Sequence, residues 1–173
     1  MGVALFLFDP DEGYALERVE LICTKKEDKK RGLRQKSDDV RRLEKVIAQF
    51  SGIVRQWQPH VYSFEEVPSL RNSSAVRKVA LSWGACYAVA KERPGTMVLE
   101  YGPQDLKVVV TGNPSASKVD MIRVLSERFP ALAESTIAPS KKEHVADAVA
   151  AALKAAQDPA VVALANAMRR VTS

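Results

Sequence analysis

Apolar residues open the chain as an unbroken run, Val3 to Phe8. Asp9-Pro10-Asp11-Glu12-Gly13 interrupts it, and a second run resumes from Tyr14 to Thr24 with Leu16, Val19, Leu21 and Ile22 apolar. Two strand-length runs around a turn that carries Pro and Gly predict a β-hairpin. Farther on, Val40, Leu43, Ile47, Phe50, Val54 and Trp57 recur at alternating intervals of three and four. That is one face of a long helix, capped by Ser37 or Asp38 and stopped by Pro59.

Val61 to Phe64 then predicts a short strand with Glu65 and Glu66 at its C-terminal end. An Ala-rich helix with Trp83 and Tyr87 follows over Ser74 to Lys91, Gly95 breaks the chain, and Met97 to Tyr101 is another strand. Two helices flank Gly112-Asn113-Pro114, one over Gln104–Val110 and one from Ala116 to Arg128. Ser140 and Glu143 have capping-box spacing and open a helix to Ala156, and Asp158-Pro159 begins a last one. A hairpin followed by alternating helices and strands is an α/β pattern with a mixed sheet flanked by helices. With no internal repeat and no low-complexity linker, residues 1–173 read as a single domain.

Composition narrows the class. Of 173 residues, 46% are hydrophobic and 27% charged, which excludes a disordered chain and one built of membrane spans. The Val3–Phe8 run is too short for a bilayer span or a signal sequence. Cys23 and Cys86 give neither a disulfide framework nor zinc spacing, so the cytoplasm is the expected compartment and no membrane partner is expected. The net charge is +5, with ten basic and five acidic side chains between Lys25 and Lys45. Such a run is a solvated loop and helix face unless a nucleic-acid partner is otherwise indicated.

Three groups stand where chemistry is possible. Glu65 lies at a strand end, the usual edge for a site in an open α/β sheet. His144 and Asp147 are three apart on one helix, off the stripe of Val145, Ala148, Val149, Ala152 and Leu153 that is expected to be buried. Hard oxygen donors with one imidazole suit Mg²⁺ and leave positions for water and phosphate. On composition alone, ordinary surface groups are the better explanation of all three.

A longer pattern adds to this. Pro59-His60-Val61-Tyr62-Ser63-Phe64-Glu65-Glu66 is followed by Asn72-Ser73-Ser74-Ala75 and the helix through Gly84. Then come Glu100-Tyr101-Gly102-Pro103 with Leu106-Lys107, Val110-Thr111-Gly112 with Ala116-Ser117-Lys118, and His144-Val145-Ala146-Asp147-Ala148-Val149-Ala150. In order and spacing, Gln58 to Ala156 resembles the RuvC-type Holliday-junction resolvases, which are RNase H-like nucleases. The resemblance implies that Glu65 is the strand-end catalytic glutamate and Asp147 the final catalytic aspartate. His144 takes the place of an acidic residue three positions earlier. Lys107 and Lys118 fall on lysines implicated in DNA contact and catalysis, and Glu66, on the other side of an extended strand, has a supporting role at most.

The N-terminal part departs from that family, which opens with an apolar strand ending in a catalytic Asp followed by Pro. Phe8-Asp9-Pro10-Asp11 invites the identification, but only 14 residues separate Asp9 from Cys23, too few for the hairpin the family places there. The better fit takes Gly2 to Leu5 as the start of the family's second strand, Asp9 to Gly13 as a hairpin turn and Tyr14 to Lys25 as the third strand. The first strand, with its Asp, is then missing from the expected sheet.

The resemblance implies hydrolysis of phosphodiesters by two Mg²⁺ ions about 3.5–4 Å apart, with Mn²⁺ able to substitute. Its ligands would be Glu65, His144 and Asp147, and Lys107 and Lys118 would offset phosphate charge. The substrate would be four-way junction DNA, cut by paired symmetric nicks in recombination and repair. Two-fold symmetric cutting calls for a homodimer, with the helix around Ala75–Ala90 as its contact, and a branch-migration helicase is a possible partner. Arg71, Arg77 and Lys78 are candidate phosphate contacts, or a solvated helix face. Val67-Pro68-Ser69-Leu70 has no aromatic where the family uses one to wedge into the junction. The alternative is a junction-binding protein, catalytically impaired by lack of the first Asp. An actin-like ATPase would need Gly-rich phosphate loops, which this sequence does not offer.

Overall fold

Asp9 builds the first turn with its own side chain. Its Oδ1 accepts the backbone N–H of Asp11 at 2.8 Å and of Glu12 at 3.1 Å, and Gly13 leaves the turn at φ +92°. In the computed structural model, which describes residues 1–25, 35–66 and 73–172, this turn joins β1 (Gly2–Asp9) to β2 (Gly13–Leu21). The strands are antiparallel, with Gly2 opposite Leu21 and Asp9 opposite Gly13, and a register shift at Leu5/Phe6. The hairpin expected from the apolar runs is therefore present, and the Asp9 carboxylate is committed to its turn.

The strands β3 (Val61–Glu65) and β4 (Met97–Tyr101) make a second two-stranded ladder. Met97 N–H donates to the His60 carbonyl at one end and Glu66 N–H to the Tyr101 carbonyl at the other, so the two run parallel. The α/β class holds with both strand orientations, but among the described residues they lie in two separate ladders rather than in one mixed sheet.

The helices are α1 (Gln35–Trp57), α2 (Ser73–Lys91), α3 (Pro103–Thr111), α4 (Lys118–Arg128), α5 (Pro130–Ala133), α6 (Lys142–Ala156) and α7 (Pro159–Thr172). The chain divides into two compact units, and the division passes through β3 and β4.

The first unit holds residues 1–21, 63–66 and 99–173. Its centre is α6, which packs on β1, α3 and α4 and buries Val145, Ala146, Val149, Ala150, Ala151 and Leu153. The stripe expected from the sequence is corrected here: Ala148 and Ala152 are only half-buried, while Ala146, Ala150 and Ala151 are buried. A helix covered on more than one side has no single apolar face, and alanine lets its neighbours come close. Leu106, Leu125 and Leu132 complete this core, and Phe6, Tyr14 and Phe129 bring the hairpin against the end of α4.

The second unit holds residues 22–62 and 67–98 and is built on the packing of α1 against α2. Phe50 and Ile53 of α1 are buried, with Tyr62, Cys86, Val89 and Ala90. Burial pushes the Cys86 thiol up to about 11, as expected of an unreactive core cysteine. The sequence pattern makes Asp38 a candidate helix cap. It lies instead inside the first turn of α1, buried, and accepts a bond from Arg41 at 2.6 Å.

Among the described residues no single helix is long and apolar enough to cross a membrane.

Candidate functional site

The residues that resemble a catalytic set lie in the first unit, and three elements present them. β3 delivers Glu65 at its last position, and the Glu66 N–H to Tyr101 carbonyl bond at 2.9 Å closes the ladder just beyond. Alternation then turns Glu66 the other way. Its Oε2 and the Asp105 Oδ2 lie at Gly102, where a Cβ would meet them at 3.6 and 3.4 Å. The second element is α6, which carries Glu143, His144 and Asp147 in its first two turns.

The third is the start of α4. Ser117 Oγ accepts the Asp120 N–H at 3.1 Å, and the Asp120 carboxylate accepts the Ser117 N–H at 3.1 Å. This reciprocal capping box fixes the first turn and with it Lys118, the first residue of the helix. The box expected at Ser140 and Glu143 does not form. Pro139 opens a separate 3₁₀ turn over Pro139–Lys141, so α6 starts at Lys142 with Ser140 outside it and no side-chain cap.

Lys118 is the meeting point. Its Nζ donates to Asp147 Oδ2 at 2.9 Å and lies 3.9 Å from Glu143 Oε2. Burial alone would lower the pKa of this ammonium. The hydrogen bond to Asp147 and the charges of Asp147, Glu65 and Glu143 outweigh that and raise it. Glu65 shifts in the direction expected of a crowded carboxylate: burial raises its pKa first, the Asp147 charge raises it further, and Lys118 opposes both. Strand end and helix are thus close enough for the Asp147 charge to be felt at Glu65.

His144 stands beside the cluster, with its side chain 45% exposed and Nε2 4.0 Å from Glu143 Oε1. Burial lowers its pKa, the chain's terminal ammonium acts in the same direction, and Glu143 and Asp147 pull the other way. The backbone here is tightly seated: a Cβ on Gly2 would come within 2.0 Å of the His144 carbonyl oxygen. Only glycine lets β1 approach the first turn of α6 so closely.

The remaining candidates are not part of this cluster. Lys107 is half-buried on α3, and among the described residues no ion pair joins it to the carboxylates. In the second unit, Arg77 is exposed on α2, and Lys78 Nζ lies 3.3 Å from Asp39 Oδ1 of α1, a helix-to-helix tie. Arg71, the Val67–Leu70 segment and residues 26–34 of the basic run lie outside the described residues. An open hollow of about 500 Å³ lined by Asp11, Asn166, Arg169 and Arg170 shares no residue with the cluster.

Sequence reasoning misses Glu143, which its spacing to Ser140 assigns to capping. The overlooked signal is the i, i+4 spacing to Asp147, which puts both carboxylates on one side of α6.

The donor types suit a hard divalent cation, and in this structure a positive charge, the Lys118 ammonium, already sits among them. Among the described residues no three His, Cys, Asp or Glu side chains converge closely enough to enclose an ion. Mg²⁺ is commonly held by one or two carboxylates with water and phosphate supplying the rest, and Glu65 and Asp147 are the side chains here that could serve in that way.

Known proteins resemble this chain over much of its length. The family model described as crossover junction endodeoxyribonuclease RuvC matches residues 29–171. A protein of that name from Hydrogenovibrio crunogenus is 31% identical over 121 residues, which is 69% of this chain and 65% of that protein. One from Corynebacterium jeikeium is 32% identical over 111 residues, covering 62% of this chain and 67% of its own length. The match thus spans about two thirds of these relatives. Among solved structures, T. thermophilus RuvC in complex with a Holliday junction substrate superposes with a TM-score of 0.68 at 24% identity. That superposition covers 90% of this chain and 85% of the other. A further Thermus thermophilus RuvC structure gives 0.66 at 22% identity. The fold is accordingly RNase H-like.

Proposed function

The chain belongs to the RuvC family of crossover junction endodeoxyribonucleases, and from that premise we propose that it resolves four-way DNA junctions by Mg²⁺-dependent hydrolysis of phosphodiesters. The observation that carries this reading is that Asp147, bonded to Lys118 at 2.9 Å, lies near enough to the strand-end Glu65 for its charge to be felt there, so that two carboxylates from separate elements share one locality. Glu65 and Asp147 would hold the metal, with His144 as a ligand or as the group that orients water. When bound, Mg²⁺ acidifies water and offsets the charge that builds on the phosphate and the leaving 3′ oxygen. The reading includes two such ions, replaceable by Mn²⁺, with donors beyond Glu65 and Asp147 drawn from water and DNA.

The protein's own groups do the rest. Burial around Glu65 keeps its carboxylate poorly hydrated, which strengthens its hold on a cation once ionised. Lys107 and Lys118 would neutralise phosphate charge, and Arg71, Arg77 and Lys78 would contact the DNA backbone away from the cut.

We assign a homodimer to the α2 surface. Val79, Leu81 and Tyr87 are large apolar side chains more than a third exposed there, and Trp83 stacks on Tyr87 at 5.2 Å. With a DNA substrate in recombination and repair, the reading extends to a cytoplasmic protein with a branch-migration helicase as partner.

The absence of a third converging ligand among the described residues favours one second reading, a protein that binds junctions without cutting them. A nicking assay on a four-way junction with Mg²⁺ decides. Paired incisions lost in Glu65→Gln and Asp147→Asn support the nuclease, whereas tight binding without incision by the unaltered chain overturns it.

A further inference from the structure

The ammonium of Lys118 occupies ground that a divalent cation would need. It is 2.9 Å from Asp147 Oδ2 and 3.9 Å from Glu143 Oε2, and Glu65 also acts on it. Two carboxylates lie within 4 Å of one positive charge and the charge of a third, Glu65, reaches it, so the cluster keeps a negative excess even with the lysine in place. The capping box at Ser117 and Asp120 fixes the backbone of Lys118, but its side chain is 51% exposed and can turn outward on four methylenes.

We propose that Lys118 is a tethered stand-in cation. It holds Asp147 and Glu143 together while the site is without metal, and leaves them for the incoming phosphate when a divalent ion takes the carboxylates. The inference rests on the metal-binding reading of Glu65 and Asp147 and adds an exchange between two cations at one seat. Lys118 is thus a positioning residue before metal binds and a phosphate contact after it.

Two consequences follow from competition for shared oxygens. The unaltered protein should bind Mg²⁺ less tightly than its carboxylates allow, because binding must displace an ion pair. Lys118→Met should then bind Mg²⁺ at least about threefold more tightly, a modest factor because the pair is half in solvent. The same variant should melt at a lower temperature without metal, and added Mg²⁺ should raise its melting temperature by more than it raises that of the unaltered protein. Lys107→Met removes an equal charge from α3 without touching the carboxylates, and should change Mg²⁺ affinity by clearly less.

The direct test is the side-chain ¹⁵N–¹H NMR signal of the Lys118 ammonium, which ion pairing protects from exchange with water. The signal should be present without metal and should shift or broaden away as MgCl₂ is added, following the same dissociation constant that calorimetry gives. An unchanged signal at saturating Mg²⁺, with Mg²⁺ binding still dependent on Glu65, overturns the exchange and leaves the nuclease reading intact. Equal tightening of Mg²⁺ binding by Lys107→Met and Lys118→Met also overturns it, since bulk charge would then account for the effect. No Glu65-dependent Mg²⁺ binding at all overturns both.

Discussion

The two units use the same ion-pair chemistry for different ends. In the second unit Lys78 meets Asp39 at 3.3 Å and Arg41 meets Asp38 at 2.6 Å, a cation beside each carboxylate. In the first unit one ammonium, Lys118, stands before Glu65, Glu143 and Asp147. Balanced pairs tie helix surfaces and leave little field behind them. A surplus of carboxylates stores negative potential that a further cation can relieve, and that surplus separates a site from a tie.

The sharpest way to break this contrast is to remove one acid from each side. Glu65→Gln or Asp147→Asn should lower junction incision by about 10³-fold or more, comparable with losing a principal electrostatic contact in other enzymes. Asp39→Asn should leave incision within about twofold. Equal losses, measured as single-turnover nicking rates, would erase the distinction.

Core helix and surface helix should differ next in stability. Leu153 on α6 is fully buried, and Leu153→Ala should cost about 2–5 kcal/mol in denaturant unfolding. Leu81 on α2 is 45% exposed, and Leu81→Glu should spare the fold while shifting sedimentation toward monomer. A dimer unaffected by that change would remove α2 as the contact.

The pH response should also separate the two regions. The Glu65 pKa is raised above 4.5 in the folded protein, so the folded state binds a proton there more readily than the unfolded chain. This contribution to stability is complete below about pH 4.5 and is lost as pH rises through the folded pKa. Glu65→Gln should therefore melt higher than the unaltered protein near neutral pH, and the difference should shrink in acid. With Glu65 as the proposed metal ligand, required in its ionised form, incision should fail at a higher pH than an ordinary glutamate would dictate. The smallest effect belongs to the surface tie: Lys78→Gln should cost about 0.2–1 kcal/mol, and less in high salt.

Apolar spacing along the chain is enough to locate β3, β4 and the long helices, and the hairpin follows from a turn whose Asp and Gly do what such residues do. The Glu65 and Asp147 pair is legible only through resemblance, because no local pattern says that a strand end and a helix 82 positions later in the chain face each other. Glu143 is misread because capping-box spacing is identical whether or not the helix begins there, and Pro139 moves the start. The breadth of burial on α6 is hidden for a related reason: alanine sits on either side of a polar boundary, so its position along a helix does not reveal how many neighbours surround it.

The close seat of Gly2 bears on how this sequence can drift. An added methyl there would strike backbone atoms of His144 and Val145 at 2.0–2.6 Å, and backbone cannot rotate aside as a side chain can. Gly84, in the middle of α2, has nothing within 4 Å of such a methyl, and alanine is the better helix former. A library of all single replacements selected for junction cutting should therefore retain alanine at position 84 and be stripped to glycine at position 2. The residue with no side chain would prove as irreplaceable as the carboxylates proposed to hold the metal.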